Sequence, residues 1–235
     1  MNKNEKKMKY CLITPVLEAE IAEIRRKIML SMNGITSEKM TQSGVVYKKN
    51  YGVAIPRIKE IASFYTPNSD LAQRLWIIGI RETMIIATLL QPVDRFTTEM
   101  ANEWAASLQQ LEMVEQICMN LLSKLPFAND LCLQWVDSGN VWKQITGFIL
   151  AARVYDKLTT DEALQLIQKA MKLSTTTEFH LYKALSLCLC RLARKDKETA
   201  TFISKEMESI SDTNLIGQQY ISSEVKQELL YLDIL

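Results

Sequence analysis

The sequence predicts an all-α fold built from stacked antiparallel helix pairs, on three observations. Seven Gly and five Pro are few for 235 residues, which disfavours the many turns of an all-β chain. Apolar residues recur at three- and four-residue steps, the spacing that collects side chains on one helix face. Hydrophobic residues make up 48% and aromatics 8%, so the core is expected to be mainly Leu, Ile, Met and Ala. The length suffices for one sizeable core or two small ones.

Residues 1–14 read as a basic N-terminal tail, and 15–235 as a single helical-repeat domain. The first helix is expected over 16–32, with Leu17, Ile21, Ile24 and Ile28 on one face, and Asn33-Gly34 ends it. A short helix follows Ser37. Residues 45–53 read as an irregular loop in which Gly52 permits a turn. Pro56 suits the first turn of a helix over 55–65. Pro67, Asn68, Ser69 and Asp70 break the chain and cap a helix over 71–78. Beyond Gly79 a helix spans 81–90, and Pro92 stops it. Thr97 or Thr98 caps a helix running to 108.

Further helices are expected over 111–124, 129–136 and 140–155, the last two joined around Ser138-Gly139. The helix over 160–173 opens with Thr160, Asp161 and Glu162, acids that favour a helix start. Helices over 177–194, 197–209 and 223–232 complete the chain. Each helix carries an apolar stripe too wide to leave exposed. One helix pair cannot bury its own stripes, but stacked neighbours can. The expected architecture is therefore a HEAT-like or armadillo-like α-α superhelix, with an irregular helical bundle as the competing arrangement. No strict sequence period is visible.

The net charge of +1 is not the basic excess of a strong nucleic-acid binder, but it is unevenly placed. Residues 1–65 hold twelve Lys/Arg against six Asp/Glu, which makes that segment +6 and the remainder −5. A local patch of this kind can serve a phosphate backbone, or it can be a solvated surface. The five cysteines, Cys11, Cys118, Cys132, Cys188 and Cys190, contain no CxxC and read as reduced, mostly buried thiols. With one histidine, His180, no structural metal site is expected. No signal-peptide pattern and no run of eighteen apolar residues is present, so a cytoplasmic protein with no membrane partner is expected. No P-loop, GxGxxG or GxSxG occurs, and no cofactor is expected.

Four segments resemble one family. Gly52, Val53, Pro56, Ile58, Lys59 and Ile61 are similar to a Gly-Val-x-x-Pro-x-(Leu/Ile)-(Arg/Lys)-x-(Leu/Ile) stretch. Leu75-Trp76 with Arg81-Glu82 resembles Leu-Trp-x4-(Arg/His)-Glu. Trp135, Ser138, Asn140 and Trp142 resemble Trp-x2-Ser-x-Asn-x-Trp. Glu178-Phe179 with Lys183-Ala184 resembles Glu-Phe-x3-Lys-Ala. They fall in the same order and at nearly the same spacing as in the DNA alkylation repair family, in its branch of AlkD-like HEAT-repeat DNA glycosylases, of which this chain looks like a divergent member. By themselves Trp76 and Trp135 read as core aromatics, whereas Trp142, in the first turn of its helix, is placed for exposure.

The resemblance implies a concave helical-repeat surface that holds duplex DNA and removes N-alkylated purines by cleaving the N-glycosidic bond. That chemistry stabilises positive charge on the sugar with a carboxylate and with aromatic faces. A Trp four residues before the key Asp shares its helix face. At the matching place stand Leu111 and Glu115. Leu187 replaces a second family Trp, and Ile145 a DNA-contacting Arg. Glu115 is thus the candidate catalytic residue, and these departures leave it open whether the chain is an enzyme.

Candidate phosphate contacts are Tyr47, Lys48 and Lys49 in the loop, and Trp142, Lys143, Lys183, Arg191 and Arg194 on later helices. Arg191, Arg194 and Lys195 recur as a basic stripe. Each charge taken singly also reads as solvated surface. The expected function is that of a DNA alkylation repair homologue binding duplex DNA, with its N-glycosylase activity on alkylated purines placed in doubt by the missing aromatics. A non-catalytic binder of DNA structures and a protein-interaction scaffold with a protein partner are the alternatives.

Overall fold

The structure, a computed structural model, describes residues 14–210 and 214–234. Apart from Thr14, the basic tail and with it Cys11 lie outside the described residues. Thirteen α-helices and no strand occur among the described residues, as the composition predicts. The chain divides into two compact units, Met1–Trp104 and Ala105–Leu235.

In the first unit, α1 (Pro15–Leu30) starts where the Thr14 hydroxyl accepts the Leu17 N–H (3.2 Å). It buries the expected stripe of Leu17, Ile21, Ile24 and Ile28. The next helix begins earlier than expected. α2 (Gly34–Gln42) starts at Gly34 because the Asn33 side chain accepts the Thr36 N–H (3.0 Å). It buries no residue, so no apolar period marks it, and it is held by bonds to the following loop. The Asn33 N–H donates to the Tyr51 carbonyl (2.8 Å), and the Ser37 hydroxyl to the Asn50 carbonyl (2.9 Å). Gly52 makes this closeness possible. Its φ is +68°, and a Cβ there would stand 2.2 Å from the Asn33 carbonyl oxygen.

α3 (Ile55–Ala62) stops short of the expected 65. α4 (Ser69–Ile78) is capped by Asn68, and Gly79, with φ +71°, turns the chain into α5 (Arg81–Leu90). Nine of the ten residues of α5 are buried, and α1, α3 and α4 all pack on it. α6 (Thr98–Ala105) starts at the Thr97 hydroxyl, which accepts the Met100 N–H (3.3 Å), and ends before the expected 108. Trp76 and Trp104 stack with centroids 4.0 Å apart, and Phe96 meets Trp104 edge-on at 5.0 Å. The Trp104 Nε1–H donates to Gln73 Oε1 (2.9 Å), and Gln73 Nε2 to Gln91 Oε1 (3.1 Å). This buried polar chain satisfies the groups that the packing removes from water.

The second unit is a double row. α7 (Leu111–Asn120), α9 (Val141–Arg153), α11 (Phe179–Ala193) and α13 (Ile216–Tyr231) pack successively along one side, and α8 (Ala128–Val136), α10 (Thr160–Leu173) and α12 (Lys197–Ser209) along the other. The expected 111–124 helix ends at Asn120, and a 3-10 turn, Leu122–Lys124, continues it. α9 and α11 are each trimmed at an end, to Arg153 and from Phe179. α10 opens with a full capping box between Thr159 and Glu162, which fixes its start. α13 begins at Ile216, well before the expected 223. Its first turn contains Gly217, which lies so close to the α10–α11 connection that a Cβ would meet the Thr176 carbonyl oxygen at 2.5 Å. Trp76 and Trp135 are buried as expected, at 6% and 0% exposure.

At the centre of the first unit Arg81 and Glu82 are 4% and 0% exposed and pair at 3.1 Å. The Glu82 carboxylate also accepts the N–H groups of Tyr51 (3.1 Å) and Val53 (3.2 Å). Glu82→Ala strips Arg81 of its counter-charge and orphans both amides. It is expected to destabilise the protein by roughly 3–5 kcal/mol, read as a lower urea midpoint at unchanged slope.

Candidate nucleic-acid interface

The loop carrying Tyr47, Lys48 and Lys49 is pinned at its C-terminal end. The Arg81 N–H donates to the Lys49 carbonyl (3.0 Å). The Arg81 guanidinium donates to the Val53 carbonyl (2.9 Å). Glu82 holds the two amides named above. The buried pair on α5 thus clamps the loop from both sides, while the Lys48 and Lys49 side chains stay exposed and Tyr47 is half-buried. The Lys49 ammonium lies 4.7 Å from the Tyr51 ring centroid, a cation–π contact that orders it without neutralising it.

In the second unit a groove of about 540 Å³ opens on the α7–α9–α11–α13 row, with Glu115, Lys183, Arg191 and Arg194 all lining it. Sequence reasoning nominates each of these singly, and the fold brings them together. Leu111 and Leu187 also line the groove, Leu111 one helical turn from Glu115. Leu187 is 39% exposed. Ile145, in contrast, is 0% exposed: it faces the core, so the surface contact implied at that position has no counterpart here.

Glu115 is reached by water from outside, yet the groove wall desolvates its carboxyl and raises it above the ordinary carboxylate range; Arg153 opposes the shift and Glu112 adds to it. Arg194 is not available as expected. It forms a two-pronged ion pair with Glu228 of α13, its Nη2 donating to Oε2 at 3.0 Å. Lys195 pairs with Asp196 at 3.5 Å. The basic stripe expected from the sequence is therefore interrupted, with Arg191 left as its member on the groove wall. Glu224 lines the groove too, so three carboxylates face three Lys/Arg.

Trp142 and Lys143 sit in the first turn of α9. The Trp142 ring lies 5.5 Å from that of His180. Lys143 extends over the Trp135 ring at 5.9 Å, and burial pushes its ammonium below the usual value. Cys190 lines the groove, but burial, with Glu228 next, pushes its thiol up to about 11, which leaves it protonated and unreactive. No group of metal-ligating side chains occurs among the described residues, nor does any described helix have the length and apolarity to cross a membrane.

Residues 30–215 match the DNA alkylation repair enzyme family. The chain belongs to that family. No curated protein matches it. Among solved structures, one is similar at a TM-score of 0.71 and 15% identity, over 88% of this chain and 94% of that one. It is described as a new family of proteins related to the HEAT-like repeat DNA glycosylases with affinity for branched DNA structures. The HEAT-like helical fold predicted from the sequence is thereby shown for this DNA alkylation repair family member.

Sequence reasoning named Phe179 only within the Glu-Phe-x3-Lys-Ala resemblance and His180 only as the single histidine, and it missed Tyr220, Glu224 and Glu228. All three belong to α13; Tyr220 lies in its first turns, which lack a clear apolar period, and Glu224 and Glu228 lie in the stretch read as helix, where an acid carries no mark of its partner. Arg194 and Glu228 are 34 residues apart, and no local signal links them.

The shift at Glu115 has a consequence for stability. Its folded pKa lies above the unfolded value of 4.5, so the folded state holds its proton more tightly and stability falls as pH rises between the two values. Glu115→Gln removes that loss. The variant is expected to melt at a higher temperature than wild type at pH 7 and at the same temperature at pH 3.5, followed by circular dichroism.

Proposed function

We propose that this family member binds DNA through phosphate contacts and has little or no N-glycosylase activity on alkylated purines. The observation that carries the reading is the pair of aliphatic walls, Leu111 and Leu187, in the groove that holds Glu115. Excision of a cationic base leaves positive charge on the sugar, which aromatic faces and an ionised carboxylate stabilise. Leu111 and Leu187 offer no π-face beside Glu115. A stem one methylene longer than Asp displaces the carboxylate charge. Errors of about 1 Å in such placement cost roughly a hundredfold in rate.

Binding is better supported than chemistry. Lys48 and Lys49 project from a loop that the buried pair holds rigid, and Lys183 and Arg191 stand on the groove wall. Such cations position a backbone and read no sequence. The similar solved structure is described as having affinity for branched DNA, and we take branched DNA with duplex arms as the target class for this chain. We place the protein in the cytoplasm, working as one HEAT-like domain over 15–235 without a cofactor.

Two measurements test this. In single-turnover assays with protein in excess over duplex carrying N7- and N3-methylated purines, base release is expected at the spontaneous rate. Release that is faster than this and abolished by Glu115→Gln would overturn the non-catalytic reading. In an anisotropy salt series on four-way junctions and linear duplex, affinity should fall steeply with salt. Lys48→Ala with Lys49→Ala should reduce the log–log slope by roughly one for each phosphate that is no longer neutralised. Absence of binding at low salt would favour a protein-interaction scaffold.

A further inference from the structure

We propose that the aromatic end of the second-unit groove is a stacking subsite for an unpaired nucleotide of branched DNA. This rests on the DNA-binding reading above and names the part of the DNA that the groove takes.

The groove is polarised. α11 and α13 run side by side, with the Tyr182 and Tyr220 rings 5.2 Å apart near their starts and Arg194 paired with Glu228 near their ends. One end of the groove is thus closed by the Arg194–Glu228 ion pair with Arg191 one turn before it on α11, and Glu224 lies one turn from Tyr220 on α13. The other end is aromatic and cationic. There His180 and Tyr220 line the groove, and Phe179 and Trp142 adjoin it through His180, with centroids 5.4 Å and 5.5 Å from the His180 ring. The Lys183 ammonium lies 4.4 Å from the Phe179 centroid and 5.7 Å from that of Tyr220.

Phe179 is 49% exposed at the first position of α11, a helix whose other large apolar residues are mostly buried. Its neighbours meet it edge-on, at 75° for His180 and 78° for Tyr182. The Lys183 ammonium lies over the ring, and the 49% exposure of Phe179 leaves aromatic surface open to solvent. A half-exposed Phe stabilises the fold little, and here it is held in place by other rings beside a cation.

Stacking faces beside a Lys suit a flat, π-faced ligand that carries a phosphate, which is the chemistry of a nucleotide. In an intact duplex the base faces are covered by one another and only the backbone is offered to such a surface. At a branch point, gap or fork the faces of unpaired bases are free. The aromatic end therefore fits an unpaired nucleotide, its base on the Phe179 face and its phosphate at Lys183.

The test uses the full chain and two forked DNAs of equal length, one fully paired at the branch and one with three unpaired nucleotides carrying 2-aminopurine. Wild type is expected to bind the unpaired form at least about five-fold more tightly and to change the 2-aminopurine emission on binding. Phe179→Ala, at an exposed site, should abolish both effects and keep the affinity for the fully paired fork within two-fold. Phe179→Trp should retain both. Equal wild-type affinity for the two forks, or a preference that survives Phe179→Ala, overturns the subsite and leaves phosphate-mediated DNA binding standing. Failure of wild type to bind either fork at low salt overturns the DNA-binding reading itself.

Discussion

Arg81 and Glu82 are adjacent in sequence, and the start of α5 buries both of them almost completely. Two charges in such a place survive only if every polar atom finds a partner. The chain meets that demand by drawing the 49–53 segment over them: Tyr51 and Val53 give their amides to Glu82, and Val53 gives its carbonyl to Arg81. The path of that segment is therefore dictated from beneath. It is what α2 is tied to, through Asn33 and Ser37, and what presents Lys48 and Lys49 to solvent. The Arg-Glu motif reads in the sequence as a family signature, and in the fold it is a clamp on the cationic loop.

How much of the fold was legible follows from where each helix gets its stability. α5, α10 and α12 have the boundaries the sequence predicts, since each has a local stop or cap: Pro92 after α5, the Thr159–Glu162 box on α10, and the Asp196 carboxylate accepting the Thr199 N–H on α12. α2 buries nothing, so it left no apolar period to read. α13 starts early because its first turn is set by contact, with Gly217 fitted against the Ser174 and Thr176 carbonyls and Gln218 donating to the Ser174 hydroxyl at 3.0 Å. None of these contacts is visible in a linear reading. The site shows the same division. Glu115, Lys183 and Arg191 were visible as chemistry on helices. That Glu228 occupies Arg194, and that Ile145 faces the core, depends on packing between helices distant in sequence.

The groove's charge balance sharpens the functional contrast. A wall that carried its arginines unpaired would attract a backbone along its whole length. Here Glu228 occupies one arginine, and Glu115 and Glu224 offset the two remaining cations, Lys183 and Arg191.

The groove is lined from α7, α9, α11 with its C-cap, and α13, whereas α8, α10 and α12 form the opposite row. The second unit therefore has a grooved side and a supporting side, divided by a layer of buried aliphatic residues. Gln168 of α10 and Lys205 of α12 are exposed on the supporting row. A dye, spin label or surface tether attached at either one would ride on the protein without touching what the groove holds. The double row thus gives the experimenter a built-in handle.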